Sequence, residues 1–129
     1  MTFKKLSKGD LADYREKLRK EQGNRCPITG WHLTDDIVAD HCHKSGMMRA
    51  ALPRWVNAVL GRVENWAGRV GGGVPVPTFL RKCADYIEHY QLFPSFVFHP
   101  LHKTPEEKKE AAKKKAAKRR AAKKAEAGK

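Results

Sequence analysis

Ala39-Asp40-His41-Cys42-His43-Lys44-Ser45-Gly46, with Asn57 a short way downstream, decides how this chain is read. One carboxylate and two imidazoles fall within four residues, and a turn-forming Lys44-Ser45-Gly46 follows at once. Ile37-Val38-Ala39 before it is short, apolar and partly β-branched. Met47-Met48-Arg49-Ala50-Ala51-Leu52 after it is a second candidate strand. Together they predict a β-hairpin with its polar residues at the turn end. Pro53 breaks the second strand and suits the first turn of a helix, where its fixed φ and missing N–H do no harm. That helix is expected to run to about residue 67, with Asn57 on its opening turns. Asp and His on one strand beside Asn on a helix make a compact place to hold one divalent cation against a phosphate.

Further residues extend the pattern: Cys26-Pro27-Ile28-Thr29-Gly30 upstream, then Gly46, Arg49, Leu52 and Asn57-Ala58-Val59-Leu60-Gly61. With Asp40-His41-Cys42-His43 they resemble the phage recombination endonuclease VII family, one of the ββα-metal or His-Me finger nucleases related to HNH enzymes. The resemblance spans roughly residues 10–90 and rests on a fairly specific core, Asp-His-x-His followed by Asn-x-x-Leu-Gly. It implies a small α+β ββα-metal finger with flanking helices. It also implies Asp40 and Asn57 as ligands of a catalytic Mg²⁺ (or Mn²⁺), His41 as general base and His43 as a second active-site imidazole. The chemistry agrees. Imidazoles exchange protons near neutral pH, so one can activate a water. A carboxylate and an amide oxygen are hard donors that suit Mg²⁺, which otherwise keeps water and substrate phosphate oxygens. Without Asp40, the turn and Asn57 around them, two histidines near a turn would be ordinary surface polar residues.

The departure from the family is also informative. Two Cys-x-x-Cys pairs that bind a structural zinc are usual there. Here the first pair is Cys26 with Thr29 and the second falls at Pro53 and Val56. A structural zinc wants about four thiolate or imidazole ligands. Cys26 alone cannot supply them, so no structural zinc is expected. Packing should hold the finger instead, with Trp31, Trp55 and Val56 as the nearest large apolar groups.

The whole chain has 129 residues, 40% of them hydrophobic, and a net charge of +13. That suggests one domain with an appendage, residues 1–102 and 103–129, and a polyanionic partner, most simply DNA. Three scattered cysteines do not make a disulfide framework, so a reducing cytoplasm is expected, that of the host cell if the chain is phage-encoded. Cys42 beside the proposed base raises a Cys-His nucleophile, but no acyl-transfer site accompanies it and a plain side chain is preferred. The N-terminus lacks an apolar targeting segment and no stretch is long enough to span a bilayer.

Residues 7–22 are expected to form a helix capped by Ser7 and Asp10, with Leu11, Tyr14 and Leu18 as its apolar face and Gly23 as its stop. Residues 23–36 are expected to loop. On the next helix Trp55, Val59, Val63 and Trp66 should be core or cleft wall. Arg54, Arg62 and Arg49 could face phosphate, the alternative for Arg49 being a salt bridge to Asp35 or Asp36. Gly68–Pro77 is breaker-rich and matches no phosphate-binding loop. Thr78–Tyr90 is expected as an amphipathic helix whose stripe of Phe79, Cys83, Tyr86, Ile87 and Tyr90 serves either as core or as the surface of a homodimer. Phe93–Pro100 is expected to pack across the domain, in preference to stacking on bases.

From Thr104 the composition changes abruptly. Thr104-Pro105-Glu106-Glu107 is a strong helix start. Residues 103–129 hold 12 Lys or Arg and 4 Glu, which is +8 of the +13. With no large apolar residue after Leu101 the helix cannot bury a face. Lys113, Lys114, Lys115, Lys118, Arg119, Arg120, Lys123 and Lys124 are then either solubilising or a non-specific DNA clamp acting by counterion release, and the clamp is preferred. The sequence therefore reads as a Mg²⁺-dependent DNA endonuclease acting on branched or duplex DNA. A sequence-tolerant nicking HNH enzyme and an inactive DNA-binding or packaging-associated finger remain open beside it.

Overall fold

A computed structural model describes residues 2–128, which divide into two compact units after Tyr86. The first unit opens with a single 3₁₀ turn at Lys8–Asp10 and helix α1, Leu11–Glu21. A knuckle-like loop leads to strand β1, Ile37–His41, then to β2, Met48–Pro53, and directly into helix α2, Arg54–Gly68. Helix α3, Val76–Leu92, runs out of the first unit, and helix α4, Pro105–Ala127, belongs to the second. The chain is therefore a small mixed α+β protein built on a ββα unit.

The two strands pair antiparallel, Ile37 with Pro53, Val38 with Leu52 and Ala39 with Ala51, and then His41 with Met48. The register slips by one between these pairs, so Arg49 and Ala50 together oppose Asp40. A bulge of this kind bends the strand and re-aims a side chain. The turn is closed by Cys42 N–H on Met47 O at 2.9 Å and Gly46 N–H on Cys42 O at 2.7 Å. Gly46 sits there at φ +75°, which a side chain would strain. Pro53 is both the end of β2 and the residue before the helix, so α2 begins one residue later than expected, at Arg54. The predicted pairing of Ser7 with Asp10 forms ahead of the 3₁₀ turn: the Ser7 N–H donates to the Asp10 carboxylate at 2.9 Å.

A two-stranded hairpin is marginal by itself and needs a packed face. Here Leu18, Cys26, Leu33, Ile37, Ala51 and Leu52 form the buried cluster, with Tyr14, Val56 and Leu60 packed against it. Leu11, expected on the same face of α1, is exposed. Gln22 adds a bond the sequence does not announce. Its side-chain amide accepts from the Ala51 N–H at 2.7 Å and donates to the Ala51 carbonyl at 2.9 Å, tying the end of α1 to β2.

The tryptophans do not do what the sequence suggested. Trp31 is 64% exposed and Trp55 70%. Trp55, Val59, Val63 and Trp66 do line up on one stripe of α2, but all four are exposed. At about 100° per residue, Val56 and Leu60 lie on a neighbouring stripe, and it is this one that meets the hairpin. Small and branched side chains fit the shallow space over two strands better than indole rings. Along α3, Phe79 and Cys83 are partly buried whereas Tyr86, Ile87 and Tyr90 are exposed, so the stripe is not a closed core. Phe96, Val97 and Phe98 are also exposed, against the expectation that this segment packs. Helix α4 starts as predicted: Glu107 N–H donates to Thr104 Oγ1 at 3.2 Å, and Thr104 N–H to Glu107 Oε2 at 3.1 Å. The residues that follow in α4 are exposed throughout.

Candidate active site

The hairpin places Asp40 where the ladder slips and His41 at the turn end of β1. Asp40 is 5% exposed and is the one buried charged group among the described residues. An ionised carboxylate in that position needs a partner. Arg49, displaced by the bulge, provides it: Nε donates to Asp40 Oδ2 at 2.6 Å. The rest of the same guanidinium forms a two-pronged pair with Glu64 of α2, Nη2 to Oε1 at 2.8 Å and Nη1 to Oε2 at 3.2 Å. The bonds to Glu64 and then to Asp40 push the Arg49 pKa well above its ordinary value. Arg49 thus pairs with neither Asp35 nor Asp36. Those acids go to other arginines: Arg54 Nε meets Asp36 Oδ1 at 2.7 Å, and Arg19 Nη1 lies 3.7 Å from Asp35 Oδ1.

His41 and His43 are exposed, and their rings stack with centroids 5.1 Å apart and 25° between planes. Asn57 is half-buried on the opening turns of α2, which packs on both strands. Arg62 is exposed further along that helix. The eight basic residues predicted in the tail, Lys113 to Lys124, lie exposed on α4 in the second unit. Within the first unit the fold draws Asp40, Arg49 and Glu64 into one hydrogen-bonded cluster. Glu64 escapes a reading by motif. Its signal is spacing: it follows Asn57 by seven residues, two helical turns, and so shares its face.

Cys42 lies in the turn, where the Ser45 hydroxyl and then the backbone N–H groups of Ser45 and Lys44 hold its thiol below the ordinary range. The donors of the turn itself account for that. Cys26 keeps a knuckle: Gly30 N–H donates to its carbonyl at 2.8 Å and Thr29 N–H to its Sγ at 3.4 Å. Burial pushes this thiol up, but the donors of Thr29, Ile28 and Gly30 outweigh it and the net shift is downward. Cys26 is 2% exposed and works as a core residue.

Residues 4–89, two thirds of the chain, match the family model for recombination endonuclease VII. The chain belongs to the recombination endonuclease VII family. The matched segment contains α1, the knuckle, the hairpin, α2 and most of α3, and stops short of α4. No curated protein matches the chain. Membership of a recombination endonuclease family implies DNA as the substrate class. No helix among the described residues is long and apolar enough to cross a membrane.

Proposed function

We propose that this family member is a Mg²⁺-dependent endodeoxyribonuclease of the His-Me finger, HNH-related kind, cutting branched (four-way-junction-like) or nicked duplex DNA. In this reading it is phage-encoded and acts in the host cytoplasm. The observation that carries it is the buried Asp40 at a strand bulge, next in sequence to the exposed His41 and beneath the helix that bears Asn57. The donor set fits a hard cation. Asp40 already holds a cationic group on one oxygen, and with the Asn57 amide it offers the one or two protein oxygens Mg²⁺ typically takes. Bound there, Mg²⁺ would relieve charge on the attacked phosphate and on the leaving oxygen. The protein residues do the rest. His41, exposed at the strand end, takes the proton of the attacking water. His43, stacked on it, narrows the positions its ring can adopt. Arg54 and Arg62 lie on the solvent side of α2, where duplex phosphates can approach.

Incubating the purified protein with Mg²⁺ and a matched set of linear, nicked and four-way DNAs tests the proposal. Preferential cutting of the four-way species is expected. Equal nicking of all three would favour a sequence-tolerant nicking enzyme, and binding without cutting would leave an inactive DNA-binding finger. The finger is also proposed to stand without structural zinc, on the count of ligands at Cys26, Thr29, Pro53 and Val56. A strong chelator should therefore stop cleavage and leave the melting temperature in place. One zinc per chain by elemental analysis would overturn this.

Helix α4 supplies a second measurable term. Its cations fall on every side of the helix, with no apolar stripe to bury. Deleting residues 104–129 should leave the first unit folded, weaken DNA binding and flatten its dependence on salt, because fewer counterions are released from the phosphates. An unchanged salt slope would make the helix a solubilising appendage. The exposed α2 stripe of Trp55, Val59, Val63 and Trp66 further supports a homodimer, since a contiguous apolar patch on a small protein marks an interaction surface. Sedimentation of the unaltered chain and of Trp55→Glu would decide it, a dimer that the charge dissociates being the expected result.

A further inference from the structure

The Asp40–Arg49–Glu64 cluster raises a difficulty for the metal site proposed above. A guanidinium bound to the metal-binding carboxylate competes with a metal, both by charge and by occupying its oxygens. An arginine facing a single carboxylate prefers to take both oxygens with two parallel N–H groups. Arg49 does not do this to Asp40. Both of its Nη groups are engaged by Glu64, at 2.8 and 3.2 Å, and only Nε reaches Asp40, on Oδ2 alone. Oδ1 is left out of the pair. The cluster as a whole keeps one net negative charge, since Glu64 offsets the guanidinium.

We propose that Glu64 is a positioning residue for the divalent cation, acting through Arg49. It holds the guanidinium fork away from Asp40, so that Arg49 orients the carboxylate through Oδ2 while Oδ1 stays open to the metal. The strand bulge is what makes the arrangement reachable, because it sets Arg49 opposite Asp40 rather than one place along. Glu64 lies two helical turns beyond Asn57, so the same helix face carries one proposed ligand and the anchor for the other. This role rests on the metal reading of Asp40 and is separable from it by experiment.

Mn²⁺ alone, titrated into the full chain without DNA and followed by electron paramagnetic resonance, reads metal affinity independently of cleavage. Removing an outer partner of a metal ligand typically weakens binding by about 10–100-fold. Glu64→Gln keeps the size of the side chain and removes its charge, and should weaken Mn²⁺ binding by about that factor with melting unchanged. Asp36→Asn removes a charge of the same sign from the exposed Arg54 pair and should leave Mn²⁺ affinity as it was. Equal losses in the two variants would reduce Glu64 to a contributor to overall charge and overturn the proposal. So would unchanged binding in Glu64→Gln, or a Glu64→Gln chain that does not fold, which would make the residue structural. Asp40→Asn separates the layers. If the unaltered protein binds no Mn²⁺, or binds it equally without Asp40, the metal site itself is refuted and the role of Glu64 goes with it. If Asp40→Asn abolishes binding while Glu64→Gln spares it, only the role of Glu64 fails.

Discussion

A His41→Ala chain should bind duplex DNA as the unaltered protein does and cut it about 10²–10⁴ times more slowly, the usual cost of losing a general base. The two halves of that expectation have separate origins. Binding draws on a net charge of +13, most of it far along the sequence from His41 and none of it lost in the substitution. Folding draws on a core to which His41, exposed at the end of β1, does not contribute. Only the proton transfer is removed. Gel-shift titration beside single-turnover cleavage at saturating enzyme would measure both halves. Cleavage at the unaltered rate would place the chemistry on other residues, and His43 would be the first to examine because its ring stacks on His41.

The second large effect is on stability, and it distinguishes two residues that look alike in sequence. Leu52→Ala should cost about 2–5 kcal/mol, a large share of the roughly 5–15 kcal/mol that holds a domain together. Leu52 is 2% exposed, pairs across the hairpin with Val38 and lies in the cluster that joins α1, the knuckle and β2. In protein dilute enough to dissociate the proposed dimer, Trp55→Ala should leave the melting temperature nearly unchanged, because a ring that is 70% exposed within its own chain leaves no cavity when it goes. Denaturant melts of the two variants side by side make the comparison. A Trp55→Ala protein as destabilised as Leu52→Ala would mean that the indole is covered in solution, as a dimer would cover it, and sedimentation would then show the dimer fail.

The contrast marks where the sequence could be read and where it could not. The hairpin was legible because its signals are local: a β-branched run, a Lys-Ser-Gly turn and a proline before a helical pattern each act within a few residues. The tail helix was legible for the same reason, since Thr104 and Glu107 satisfy each other's backbone N–H groups across Pro105, which suits the first helical turn. The packing face of α2 was not. Hydrophobic periodicity pointed to the stripe Trp55-Val59-Val63-Trp66, whereas the one that packs, Val56-Leu60, lies beside it. Which stripe turns inward depends on how Pro53 launches the helix from β2, a matter of geometry between elements. The partner of Arg49 was missed for a related reason. Asp36 and Asp35 are near in sequence to β1, but the bulge opposite Asp40 turns Arg49 toward α2, and bulges leave no reliable mark in one sequence. Asp40, His41 and Asn57 stood out as candidates because a turn and a helix start bracket them; Glu64, with neither beside it, did not.

The bond between Gln22 and Ala51 bears on how the hairpin meets other chains. A two-stranded sheet has edges along which backbone donors and acceptors can recruit a foreign strand. At Ala51 that invitation is withdrawn: its N–H and carbonyl are both taken by one side-chain amide, in the manner of a neighbouring strand reduced to a single residue. Glutamine is suited to this because its amide carries a donor and an acceptor side by side, matching the backbone it replaces. The β2 edge of the hairpin is thereby sealed at its middle against strand addition. Along β2, a second copy of the chain must therefore engage the hairpin at Ala51 through side chains rather than by extending the sheet there.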